Sequence, residues 1–72
     1  MTVPATQITF AGGQHLRVQG AVHDVEAAIL AAARGSIMEF AWLTEADSGQ
    51  SVGISPDQVL MLRAVDHDAN GG

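Results

Sequence analysis

The chain has 72 residues and no cysteine, and its eight carboxylates outnumber three arginines to give a formal net charge of −5. The lack of cysteine excludes disulfides and thiolate metal sites, and the acidic balance argues against a nucleic-acid partner, whose phosphates require Lys and Arg. No apolar run approaches the roughly 20 residues of a membrane span. We therefore expect one small domain over residues 1–72, no membrane or nucleic-acid partner and, by default, a cytoplasmic location.

The first part of the chain predicts a β-hairpin. Polar and apolar residues alternate over residues 7–11 and again over residues 14–19, which is typical of strands with one buried face. The glycine pair between them allows a three-residue loop whose last residue, Gly13, takes a positive φ. This loop places Ile8 opposite Leu16, so the apolar side chains of both strands share one face of the hairpin.

Residues 21–34 are predicted to form the only helix, because six alanines give this segment a high helix propensity. An apolar stripe centred on Val25 and Ile29 should pack against the sheet. The opposite side of the helix carries the small residues Ala27 and Ala31, where a solvated helix usually has Glu, Lys or Gln. Small side chains would let another backbone approach, so we consider this side a possible contact surface.

Residues 36–54 predict a second hairpin, which contains the only tryptophan and one of the two phenylalanines. The turn Asp47-Ser48-Gly49 suits a three-residue loop that ends in a positive-φ glycine. This loop pairs Trp42 with Ile54 and directs one apolar face towards the helix. The residues predicted on that face are Met38, Phe40, Trp42, Thr44, Val52 and Ile54.

The end of the chain predicts one more strand. A Ser-Pro pair after the second hairpin predicts a single helical turn, and residues 59–65 then form a strand with apolar side chains on both faces. Residues 1–5 are expected to be loose and residues 67–72 to be a flexible tail. The ordered core is therefore predicted to cover about residues 6–66.

These elements predict an α+β fold of two layers, with a mainly antiparallel sheet of about five strands and one helix on one face. The order is strand, strand, helix, strand, strand, turn, strand. One helix covers only one sheet face, so apolar residues elsewhere become candidates for contact with a partner. The candidate interface residues are Ile37, Leu43, Leu60, Leu62, Ala27 and Ala31. A candidate apolar pocket between helix and sheet is lined by Leu30, Met38, Phe40 and Trp42.

No set of side chains in the sequence forms a catalytic motif, and His15, His23 and His67 lack the spacing of zinc ligands. We therefore predict no enzymatic activity, no cofactor and no metal. The leading hypothesis is a non-enzymatic protein-interaction module, either a homodimer or the small subunit of a larger complex. The alternatives are a small-ligand-binding domain that uses the pocket near Trp42, and an acidic inhibitor of a basic protein.

Overall fold

The computed structural model describes residues 2–35 and 40–68, and it has the predicted α+β class and element order. The elements are β1 (Thr2–Phe10), β2 (His15–Gln19), α1 (Val22–Ala33), β3 (Ala41–Thr44), β4 (Ser51–Ile54), a single 3₁₀ turn (Pro56–Gln58) and β5 (Val59–Asp68).

Both ends of the ordered region extend further than predicted. Strand β1 begins at Thr2, so the expectation of a loose start is wrong, and β5 continues to Asp68, two residues into the predicted tail. The two strands pair antiparallel along their whole length, with Thr2 opposite Asp68. Each end receives its partner from the other end of the chain, which a local sequence pattern does not reveal. Residues 69–72 of the predicted tail lie outside the described residues.

The strands form two antiparallel sheets, so the prediction of one five-stranded sheet is wrong. Strands β2, β1 and β5 form the larger sheet in that order, and β3 and β4 form the smaller one. The two sheets meet at a single bridge between Val18 and Glu45. Beside this bridge the Ala46 N–H donates to the Arg17 carbonyl oxygen at 2.9 Å. The loop end of the β3–β4 hairpin is therefore hydrogen-bonded to the edge of β2.

The first hairpin confirms the predicted register. Ile8 pairs with Leu16, and Gly13 has a φ of 87°. The Gly13 N–H donates to the Phe10 carbonyl oxygen, and the Phe10 N–H donates to the Gln14 carbonyl oxygen. These bonds define the predicted loop of three residues with a positive-φ glycine at its end.

The second hairpin departs from the predicted register by one residue. Trp42 pairs with Gly53 instead of Ile54, and Ile54 pairs with Ala41. The loop has four residues, because the Glu45 N–H donates to the Gln50 carbonyl oxygen and the Gly49 N–H donates back to Glu45. Gly49 has the predicted positive φ, of 73°. Since side chains alternate along a strand, this shift exchanges the two faces of β3. Val52 and Ile54 of β4 stay on the inward face, as predicted.

The core is formed by residues of the larger sheet, of α1 and of the β3–β4 hairpin. Its buried residues are Ile8, Val18, Val25, Ile29, Ala32, Ala41 and Ile54. Half-buried apolar residues pack around them: Phe10, Leu16, Leu43, Val52, Val59 and Leu62. Among the described residues nine apolar side chains are buried and four of these are alanines, so the core contains few large side chains and contributes limited hydrophobic stabilisation.

Strand β1 lies in the centre of the larger sheet although it contains a proline. The Gly20 N–H donates to the Pro4 carbonyl oxygen, and in a regular antiparallel pair the residue at position 4 would return a bond to Gly20. Proline has no N–H to donate. The hydroxyl of Thr6, which is fully buried, donates to the Gly20 carbonyl oxygen instead, at 2.9 Å.

Candidate functional site

The outer face of the β3–β4 hairpin carries two exposed aromatic side chains. Trp42 is 67% exposed and Phe40 is 57% exposed. Their ring centroids lie 6.1 Å apart with an interplanar angle of 72°, which is an edge-to-face arrangement. We call Phe40, Trp42 and Gly53 the aromatic surface, because all three lie on this outer face.

Gly53 explains the position of the indole. A Cβ atom at Gly53 would lie 3.1 Å from Trp42 Cη2 and 3.3 Å from Phe40 Cβ. These distances are shorter than ordinary van der Waals contacts, so any larger residue would displace the ring. The cross-strand partner of Trp42 is Gly53 itself, and the indole therefore rests directly on the backbone of β4. One side of the Trp42 indole lies against the β4 backbone at Gly53, and its other side faces solvent.

The predicted pocket between helix and sheet is wrong in its location. The one-residue shift in the second hairpin turns Phe40 and Trp42 away from α1. Ala41 is buried in their place, opposite Ile54, which is buried as predicted. Leu30 is also largely exposed. Met38 lies outside the described residues.

The candidate interface residues fall into two groups. Leu60, Ala27 and Ala31 are exposed, and Leu60 is the most exposed large apolar side chain in the described part of the chain at 71%. Leu43 and Leu62 are half-buried and pack against the core, so they have a structural role within the chain. Ile37 lies outside the described residues.

An open cleft of about 370 Å³ lies beside β2. Its lining residues are Gln7, His15, Leu16, Arg17, Glu45 and Asp47. Thr9 and His15 pair across β1 and β2, with 3.2 Å between Thr9 Oγ1 and His15 Nδ1. The cleft thus combines two basic side chains with two carboxylates, and it forms where the loop of the second hairpin approaches the edge of the larger sheet.

The cleft could not be predicted from the sequence, because no short-range signal brings Glu45 and Asp47 to His15 and Arg17. The contact between Gly53 and Trp42 could not be predicted either, since only the correct register places this glycine opposite the tryptophan. A glycine inside a strand often marks close approach by another group, and this was the available signal. Of the residues that the structure describes, no group of three or more His, Asp and Glu is arranged to hold a metal ion.

No helix within residues 2–35 and 40–68 is long and apolar enough to cross a membrane. Comparison with known proteins gives no relative: no protein-family model matches the chain, and no curated protein or solved structure matches it.

Proposed function

We propose that this chain is a small non-enzymatic protein-interaction module, working as a homodimer or as the small subunit of a larger complex, and that the aromatic surface is a docking site for a different protein. The observation that carries this proposal is the exposure of Trp42 and Phe40 side by side in a chain whose described core contains few large side chains. If these rings served stability alone, burial beneath α1 would stabilise the fold more than exposure does.

The residue types of the aromatic surface and its contact with Gly53 support a role in protein docking. Tryptophan is among the residues enriched at the energetic centres of protein interfaces. A large ring also loses little conformational entropy on binding when it is already held in position, and Gly53 holds the Trp42 indole against the β4 backbone. A partner that covers the surface would remove two aromatic side chains from water, which favours association.

Selection of displayed peptides against the immobilised wild-type chain tests this proposal. Peptides that dock on the aromatic surface should bind the Trp42→Ala variant at least roughly tenfold more weakly. Loss of an interface tryptophan often costs about 2 kcal/mol of binding free energy or more. Leu30→Ala is the matched control, since it removes an exposed apolar side chain from α1. If the selected peptides bind wild type and Trp42→Ala equally, the aromatic surface is not a docking site.

The cleft beside β2 favours a second candidate function, the binding of a small ligand. Its volume of about 370 Å³ lies within the range of roughly 300–1,000 Å³ that is common for ligand sites. Its basic and acidic side chains suit a small molecule that carries both a carboxylate and an amine. The Arg17 side chain would receive the carboxylate, and Glu45 would receive the amine.

A titration of the ¹⁵N-labelled chain with free amino acids tests this second function. Binding should shift the amide signals of His15 and Glu45 in a saturable way, and Arg17→Gln should abolish the shifts while leaving the rest of the spectrum unchanged. Arg63→Gln is the matched control, because it removes the same charge from β5, outside the cleft lining. Linear, non-saturating shifts in the wild-type chain would contradict the proposal.

A further inference from the structure

The outer edge of β5 offers a second interaction site, away from the aromatic surface. This strand has ten residues and pairs with β1 on one side, and none of the strands that the structure describes pairs with its other side. An unpaired strand edge presents a row of free N–H and C=O groups, which is a template for another strand.

The backbone bonds of β1 identify which groups of β5 face outward. The Phe10 N–H donates to the carbonyl oxygen of Gln14, and the Pro4 carbonyl oxygen accepts from the Gly20 N–H. The backbone groups of the even-numbered residues of β1 therefore point towards β2, and those of the odd-numbered residues point towards β5. The odd-numbered residues pair with Met61, Arg63 and Val65. The N–H and C=O groups of Leu62 and Ala64 consequently point towards the open edge.

Between Met61 and Val65 the edge lacks most of the features that usually prevent strand pairing. Such edges commonly carry lysine or proline, or are twisted away by a bulge. Residues 59–65 contain neither lysine nor proline, and Arg63 is their one charged residue. The register irregularity against β1 occurs at the beginning of β5, and pairing is regular from Met61 onward. Leu60, Met61 and Ala64 are all exposed.

The sequence of this edge is complementary to itself in an antiparallel arrangement. When two copies pair around Leu62, each Met61 lies opposite the Arg63 of the other copy. Leu62 then forms a hydrogen-bonded pair with its own counterpart, as its outward-facing backbone groups require. No two like charges lie directly opposite, and directly opposed like charges would destabilise the pair.

We propose that a second copy of this chain binds along β5, so that two three-stranded sheets join into one six-stranded sheet with two-fold symmetry. A small domain with few large core residues gains stability from such association. The proposal does not depend on the aromatic surface. A dimer through β5 would carry two copies of that surface, one on each chain.

Amide hydrogen exchange of the wild-type chain, measured at low and high micromolar concentration, tests the dimer without any substitution. The Leu62 and Ala64 amides should become protected as concentration rises, while the Met61 and Arg63 amides, already bonded to β1, should be protected throughout. Sedimentation velocity over the same range should show a monomer giving way to a dimer. A monomer at every concentration, or a dimer without added protection at Leu62 and Ala64, overturns the proposal.

Two variants at one exposed position sharpen the test. Ala64→Pro removes an outward N–H without removing a bond to β1, and should weaken self-association by roughly tenfold or more. Ala64→Val keeps the N–H and should dimerise like the wild type. Protection of the Met61 and Arg63 amides verifies that each variant is folded. Trp42→Ala should leave the dimer intact; if it abolishes the dimer and Ala64→Pro does not, the copies associate through the aromatic surface instead.

Discussion

The loops of the two hairpins both end in a glycine with positive φ, yet the registers of the two hairpins have different causes. In the β1–β2 hairpin, three exposed loop residues close the turn with bonds between Phe10, Gly13 and Gln14. In the β3–β4 hairpin, the loop gains a fourth residue, Ala46, which is buried and donates its N–H to Arg17 of β2. The first register follows from local turn chemistry, whereas the second also depends on a contact with another sheet.

The largest difference between the hairpins should appear in their contributions to the core. Ile8 of β1 has no exposed surface, whereas Val52 of β4 is half-buried. We expect Ile8→Ala to lower the free energy of unfolding by about 3 kcal/mol, because it leaves a cavity in the centre of the core. Val52→Ala should cost less than about 1.5 kcal/mol. Urea denaturation followed by circular dichroism measures both, and equal losses would contradict the assignment of the core centre to the first hairpin.

The next effect concerns the polar contact that completes β1 and β2. Thr6→Val keeps the shape of the side chain but leaves the Gly20 carbonyl oxygen without the donor that it has at 2.9 Å. We expect a loss of about 2 kcal/mol, since a partly buried acceptor remains unsatisfied. Thr6→Ser keeps the hydroxyl and should recover most of that loss. Chemical denaturation compares the three chains, and a Thr6→Val variant as stable as the wild type would show that the hydroxyl is dispensable.

The link between the hairpins can be broken at Ala46. Ala46→Asp places a carboxylate where the side chain is 8% exposed, and should detach the loop from β2 at a cost of about 1.5 kcal/mol, mainly through the lost Ala46–Arg17 bond. The Ala46 amide should then exchange faster with solvent, while the Gly13 amide of the first hairpin should be unaffected. Ala11→Asp is the control for added charge, because it makes the same substitution at an exposed loop residue of the first hairpin. Unchanged exchange at Ala46 would contradict the link.

The smallest effect is expected at the largest side chain. Trp42→Ala should change the free energy of unfolding by less than about 1 kcal/mol, because the ring is 67% exposed. A tryptophan buried beneath α1 would cost about 3–5 kcal/mol on the same substitution. Thermal unfolding by calorimetry distinguishes the two values. The emission of wild-type Trp42 should also resemble that of a water-exposed indole and should be quenched readily by acrylamide.

The elements that the sequence predicts correctly are those whose cause lies within a few residues. The alanine-rich segment forms α1, the glycine loop aligns Ile8 with Leu16, and the Ser-Pro pair begins the single 3₁₀ turn. Each of these depends on propensity or turn chemistry that neighbouring residues determine.

The errors arise where a distant residue decides the outcome. Ala46 joins its loop because Arg17 offers a carbonyl oxygen, and this one added residue moves Trp42 to the outside and Ala41 to the core. An alternating pattern with apolar residues on both faces cannot determine which face is buried. An error of one residue in the register therefore prevented prediction of the aromatic surface. The cleft could not be predicted because it forms where β2 meets a loop about thirty positions further along the chain.

The proline in the central strand has a consequence for how this sequence can vary. The Thr6 hydroxyl is required only while position 4 lacks an N–H, so the two sites are epistatic. Pro4→Ala would supply a main-chain donor for Gly20 and make Thr6→Val nearly harmless, which a double-mutant cycle would record as a coupling between non-adjacent positions. Thr6→Val should therefore be tolerated when Pro4→Ala comes first, and should be destabilising when it comes before Pro4→Ala.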